Sequence, residues 1–341
     1  MLLKYSTPFA FLALVPVGAW LGGAWTFMGA AATPLGLTSL DALLGDEAPS
    51  LRIGTPAARW VPRVYILLQL ATTAWAALWV SRPSASSLEL AGLAISVGVT
   101  TGVFGFVAAH EMIHSRSRRE RALGLGLLGT VFYMHFRIAH VQGHHVRAAT
   151  RDDPASARLG EGLYAFLLRS IAGQLREAWQ FEATRRARAG LSAVGPGNRM
   201  IAYLAIEGLF LAGVALLGAR ALVFVVVVAA IAVALLESFN YVAHYGLSRR
   251  IAADGKVERL APHHSWNSGR RMNNASLFNM GRHSDHHRRM VRSYEELRPL
   301  DGGAVLPSGY AAALLTALVP PLWARVMDGR AEAVMAARPF S

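Results

Sequence analysis

The sequence predicts an all-α integral membrane protein with six transmembrane helices and a histidine-rich, two-metal domain on one side of the bilayer. Three observations predict it. Of the 341 residues, 53% are hydrophobic, more than an ordinary soluble domain carries. The apolar residues gather in stretches near the roughly 20 helical residues that cross a bilayer. Nine of the twelve histidines fall into four groups at the edges of those stretches.

The apolar block 6–44 holds one charge, Asp41, and a Gly22-Gly23 pair near its middle, so it reads as two short spans, about 6–22 and 24–44. Its opening reads as a retained anchor, because no small-residue cleavage site follows. A polar segment (45–59) precedes a span at about 60–81, a turn from Arg82 to Ser87, and a span at about 88–109 that ends on the first histidine pair. Two more spans, about 200–217 and 221–241, flank a Gly218-Ala219-Arg220 turn. Residues 122–137 are apolar but short and suit a helix lying on the membrane surface or dipping into it. The same holds for 310–327, where Pro320-Pro321 forbids a regular span. No internal repeat or long linker divides the chain, so 1–341 is expected to be a single integral domain.

Six spans put both termini on one side, together with the arginine-rich segments 115–199 and 247–298. The positive-inside rule makes that side cytoplasmic, with the catalytic segments 110–199 and 242–341 exposed there. The net charge of +13 then belongs to loops facing an anionic leaflet, not to nucleic-acid binding. There is no cysteine, which removes disulfides, iron–sulfur clusters and thiolate metal sites and leaves nitrogen and oxygen ligands.

The groups are His110-Glu-Met-Ile-His114, His140-Val-Gln-Gly-His144-His145, the single His244, and His283-Ser-Asp-His286-His287. Residues three or four apart share a helix face, so each multiple group aims its imidazoles at one point. A closed structural zinc site needs only four ligands. Nine are more than one metal uses and suit two redox metals that activate O2, although imidazole alone accepts iron, copper or zinc. Glu111, Asp152, Asp153, Glu237 and Asp285 are expected to accept the outward ring N–H groups, with Asn240 beside them. Taken alone, His244 could belong to an interfacial aromatic belt with Tyr241 and Tyr245. His135, His263 and His264 lie outside the spacing and read as structural or supporting residues. Glu207, inside the fifth span, suits a helix–helix hydrogen bond. The run from Ser115 to Arg121 suits lipid headgroups, or the docking of an acidic electron donor. Trp25, Phe27, Phe104, Phe106 and Phe239 are candidates to line a substrate channel, against ordinary packing.

These motifs resemble the membrane-bound alkane hydroxylases of the fatty acid desaturase/hydroxylase superfamily. The resemblance rests on the three multi-histidine groups, on Asp153-Pro-Ala-Ser-Ala-Arg158 after the second, and on Asn240-Tyr-x-x-His244-Tyr-Gly246. His264-Ser-Trp-Asn267, Ser293-Tyr-Glu-Glu-Leu-Arg298 and Leu306-Pro-Ser-Gly-Tyr310 support it, and it covers most of the chain. It implies six spans in the bacterial inner membrane and a non-haem diiron centre. Its iron ligands would be His110, His114, His140, His144, His145, His244, His283, His286 and His287. It also implies electrons from rubredoxin or a similar iron–sulfur protein with its reductase, and insertion of one oxygen of O2 into a terminal C–H bond of a hydrocarbon. The chain departs from the pattern at Ala139 and Ala243, where glutamates are usual, and at Gly281, where glutamine is usual. Those losses could retune the centre or open space beside it. The stretch 22–33 and the run from Glu237 to Tyr241 are also similar to the xylene monooxygenase branch, which would shift the substrate to methyl groups on aromatic rings. Desaturation or hydroxylation of lipid acyl chains is a further enzymatic reading. A histidine-based metal transporter is the non-enzymatic one, and it needs a polar path through the midplane, where these spans carry no charges.

Overall fold

The computed structural model describes residues 2–47 and 57–337, so much of the polar segment expected at 45–59 lies outside the described residues. The main helices are α1 (Thr7–Leu21), α2 (Met28–Leu44), α3 (Trp60–Val80), α4 (Ser87–His114), α5 (Arg118–Gly129) and α6 (Leu163–Ala187). They continue with α7 (Arg199–Ala215), α8 (Ala219–His244), α9 (His283–Arg288), α10 (Tyr310–Ala317) and α11 (Pro320–Ala336). Strands are confined, among the described residues, to a parallel pair of two residues each, with Trp266 opposite Ala304. Among the described residues, four helical stretches are long and apolar enough to cross a membrane: Gly23–Leu44, Trp60–Val80, Ser87–His114 and Ala219–His244. The other two segments expected to span are helical but shorter. At 15 and 17 residues, α1 and α7 reach about 22 and 26 Å, against a hydrocarbon core of about 30 Å.

Local chemistry sets the ends. Glycines at 22 and 23, both at positive φ, break the first apolar block where the sequence suggests a break. At the start of α4, Ser86 and Glu89 form a capping box: Glu89 N–H donates to Ser86 Oγ and Ser86 N–H donates to Glu89 Oε2. The same glutamate accepts from Gly23 N–H at 3.0 Å, which ties the glycine break to this end of α4. Asn198 caps α7 through Met200 N–H at 2.7 Å. Pro320 and Pro321 do not interrupt a helix; they begin α11, where a missing N–H costs nothing.

The central contact is between α4 and α8. A side chain at Gly98 would strike Ile231 Cβ at 2.9 Å, and one at Gly102 would strike Leu235 Cβ at 2.8 Å. Four residues apart on one face, these glycines let the two long helices close together, as small residues do in membrane bundles. Gly124 does the same for α5, where a Cβ would meet Ala109 O at 2.9 Å. The α6 helix has no counterpart in the sequence reading. It brings Ser170, Gln174 and Glu177 against the bundle.

Candidate metal centre

Each histidine group sits where a helix ends or widens. The last turns of α4 carry His110 and His114, and the last residue of α8 is His244. A π-turn at Thr101–Gly105 adds one residue per turn within α4 and re-aims everything after it. A second π-turn, Ala139–His144, presents His140 and His144, with His145 following directly. Gly143 lets the Glu177 carboxylate lie close against this turn, and a Cβ there would push it aside. The short α9 supplies His283, His286 and His287.

The nine imidazoles assemble into two adjoining groups, all with little or no solvent exposure. One nitrogen from each of His110, His114, His140, His145 and His286 lies within 4.8 Å of the others, and the same holds for His144, His244, His283 and His287. The groups touch, with the His145 and His287 rings 4.7 Å apart. Inside the first, Nε2 of His140 is 2.8 Å from that of His110 and 3.1 Å from that of His145, which is 3.1 Å from that of His286. In the second, Nε2 of His283 is 3.2 Å from that of His244 and 3.1 Å from that of His287. Each facing pair of neutral imidazoles can share only one proton, so such a set cannot satisfy itself by hydrogen bonds. Ligands about 2.1 Å from a shared ion sit about 3.0–3.4 Å from one another, so the converging nitrogens suit a metal in each group. Burial, reinforced by neighbouring imidazoles, pushes His140, His145, His283 and His287 well below the ordinary histidine range, and His286 likewise. They stay neutral, the form that ligates.

The carboxylates divide. Asp153 accepts from His144 Nδ1–H at 2.8 Å. Glu111 accepts instead from Tyr294 N–H and Ser293 Oγ–H. Asp285 accepts from Arg292 and from Arg298 N–H, and so anchors the chain after α9. Glu237 lies on the right face of α8 but too far back to reach an imidazole. It is caged by Tyr133, Ser170, Gln174 and Asn240. Asp152 is exposed. Glu207 accepts from Met134 N–H at 2.9 Å, a helix-to-loop bond and not a helix-to-helix one. His135, His263 and His264 stay outside both groups. Burial pushes His135 down to about 4.

His263 and His264 form a third set with Glu258. His264 Nδ1 accepts from Ala261 N–H at 2.9 Å, which leaves its proton on Nε2 and makes it a poor ligand. Its contribution is the backbone carbonyl that accepts from His244 Nδ1–H at 3.1 Å. Sequence spacing had no way to point to that carbonyl. The residues around His244 are pinned as well: Tyr245 O–H donates to Asp328, and Trp266 Nε1–H donates to Tyr245 O.

An apolar cavity of about 230 Å³ ends on His110, His140 and His283. Its lining follows one face of α4 through Val99, Val103, Phe106 and His110, a run of about 16 Å. Phe106 and Phe239 line it. Phe104 does not: two residues from Phe106, it points to the far side of α4 and stacks on Phe11. Trp25 and Phe27 do not either, because they sit by the start of α4, about 30 Å from its histidines, and Trp25 is 59% exposed. Ala139 and Ala243 are packed in the core and add nothing to the cavity. At Gly281 a Cβ would collide with Asn274 Oδ1 at 2.5 Å, so its neighbours fill the space of a side chain.

The sequence profile of the fatty acid desaturase family matches residues 86–313, the stretch that carries every histidine of the two groups. Alkane 1-monooxygenase 1 of Pseudomonas aeruginosa is 41% identical over 285 residues, covering 81% of this chain and 75% of the relative. This chain belongs to the alkane 1-monooxygenase family. Alkane 1-monooxygenase 2 of the same organism is 42% identical over 250 residues, 73% of this chain and 66% of the relative. A more distant family relation is the xylene/toluene monooxygenase hydroxylase component of Pseudomonas putida, 28% identical over 313 residues, 90% of this chain and 82% of the relative. Family membership makes the chain an oxygen-dependent hydroxylase with a desaturase-type histidine centre, carried on helices of membrane-spanning length.

Proposed function

We propose that the chain is a non-haem diiron monooxygenase that hydroxylates the terminal methyl group of alkanes, using O2 and electrons from a rubredoxin-type donor. The observation that carries this reading is the apolar cavity that ends directly on imidazoles of both groups. His110, His114, His140, His145 and His286 would hold one iron, and His144, His244, His283 and His287 the other. Bound there, the iron pair supplies the redox chemistry that puts one O2 oxygen into a C–H bond and releases the other as water.

The chain's own residues do the rest. The aliphatic lining takes an alkyl chain out of the bilayer and orients it along α4, and Phe106 and Phe239 narrow the approach to the histidines. Few polar groups face the cavity besides the imidazoles, so water has little hold there and the reacting carbon is kept dry. In this reading α1 and α7 complete a set of six spans in a single integral domain in the bacterial inner membrane, with the histidines on the cytoplasmic side. Arg59 and Arg116, beside His114, suit an acidic donor arriving from that side.

A second reading, oxidation of methyl groups on aromatic rings, is favoured by the match to the xylene/toluene enzyme over 90% of this chain. One experiment separates the two. Protein purified without oxygen and assayed for iron is supplied with rubredoxin, its reductase and O2, together with octane or p-xylene. Two irons per chain and 1-octanol are expected. A benzylic alcohol alone would move the substrate to the aromatic class, and no oxygenated product from either would overturn the hydroxylase reading.

A further inference from the structure

We propose that Asp153 is a positioning residue for one metal only, so that a single substitution separates the two sites. The inference rests on the two-iron reading above. Both groups aim Nε2 inward, and they differ in what holds the outward nitrogens. In the four-histidine group, His144 Nδ1–H donates to Asp153 at 2.8 Å and His244 Nδ1–H donates to the His264 carbonyl at 3.1 Å. Nδ1 of His283 and His287 has no partner among the described residues, and in the five-histidine group the same holds for His110, His114, His140 and His145. The two groups therefore differ in the pair of acceptors behind His144 and His244.

Asp153 is itself built in. It is 1% exposed, Ser156 O–H donates to the same carboxylate oxygen at 2.6 Å, and Ala155 N–H donates to the other at 3.1 Å. Among the described residues, no other carboxylate hydrogen-bonds an imidazole of either group. Glu111, Glu237 and Asp285 are engaged elsewhere, and Ala139 and Ala243 stand beside His140 and His244 with no acceptor to offer. A carboxylate behind a ligating histidine fixes its tautomer, orients its ring and raises its basicity. Losing one typically costs about 10–100-fold in metal affinity. In this chain that dependence falls on the site containing His144. The five-histidine site holds its metal by ligand number, with no carboxylate behind it.

The test reconstitutes the iron-free full chain in detergent with ⁵⁷Fe(II), without oxygen, and counts iron while recording Mössbauer spectra. Wild-type protein should bind two irons and show two ferrous signals. Asp153→Asn should keep one iron at wild-type affinity and weaken the other about 10–100-fold, so that one signal disappears at limiting iron and returns in excess. Ser156→Ala, which keeps the carboxylate but removes its closest donor, should weaken the same signal by less. It carries the test if Asp153→Asn fails to fold. Equal loss of both signals, or of neither, in a folded variant overturns the inference, because a merely structural role would not choose between the sites. Fewer than two irons in wild-type protein would overturn the two-iron reading first, and this inference with it.

Discussion

Two cavities of similar size meet the same helix end and share almost no chemistry. The apolar one, about 230 Å³, reaches it through His110, and the other, about 200 Å³, through Glu111, Met112 and His114. The first is walled by aliphatic and aromatic side chains from α2, α4, α8 and α10. The second is walled by Arg59, Arg116, Glu120 and the loop from Met290 to Tyr294. Helices of a membrane bundle supply one side, and the charged segments between them supply the other. The histidines occupy the boundary, where an apolar substrate and water-borne reactants can be kept apart until they meet. On the proposed reading, selectivity for the substrate belongs to the apolar wall, and the polar wall has no part in it.

The largest expected effect comes from the boundary itself. His110→Ala removes an imidazole that both belongs to the five-membered group and closes the apolar cavity. Hydroxylation should fall at least about a thousandfold, about 4 kcal/mol of barrier, with loss of bound iron. Substantial turnover with normal iron would detach the cavity from the centre. A smaller effect is expected from Val103→Trp, which fills the apolar cavity without touching a histidine. The value of kcat/KM for octane should drop about 10–100-fold while iron content holds, with shorter alkanes losing less. Equal losses for all chain lengths would mean that substrate lies elsewhere. On the polar wall, Glu111→Gln keeps an oxygen able to accept from Ser293 and Tyr294. It should cost within about 1 kcal/mol of stability and leave the ratio of long to short alkane turnover unmoved. A shift in that ratio would break the division between the walls.

What the sequence made legible follows the same line. Spacing singled out the nine histidines but not their partition. Of the multiple groups only His110 with His114 stays whole, whereas His144 parts from His140 and His145, and His286 from His283 and His287, because residues next to one another on a turn face different sides. Apolar length found the helices, though α1 and α7 proved shorter than a full crossing. Glu237 and Asp285 were misjudged because proximity along the chain says nothing about competing donors: Tyr133, Ser170 and Gln174 arrive from elsewhere to claim one, and Arg292 the other. Two of those donors come from α6, which carries no period or motif that would reveal it. The two π-turns were equally hidden, since the extra residue they insert leaves composition unchanged. Phe104 and Phe106 look alike in sequence, and only the phase of α4 separates the one in the core from the one in the cavity.

The last effect is one of pH and touches stability alone, and it reports on the boundary with the metal removed. His140, His145, His283, His286 and His287 are held well below their ordinary value of 6.5, first by burial. In the folded chain they are neutral, whereas in the unfolded chain they take up protons as pH falls through about 6.5. Between that value and the depressed folded ones the unfolded state binds more protons, so stability is complete above about 6.5 and declines as pH drops below it. Each such group contributes up to about 1.4 kcal/mol per pH unit, with coupling between neighbours reducing the sum. Iron-free protein should therefore unfold at the same temperature at pH 7.5 and 8.5, and at a clearly lower one at pH 5.5. Val103→Trp should shift the whole curve without altering its slope, because the aliphatic wall has nothing to titrate. An iron-free protein whose unfolding temperature ignores acid would mean that the imidazoles are hydrated, and that the dry boundary between the two cavities does not exist.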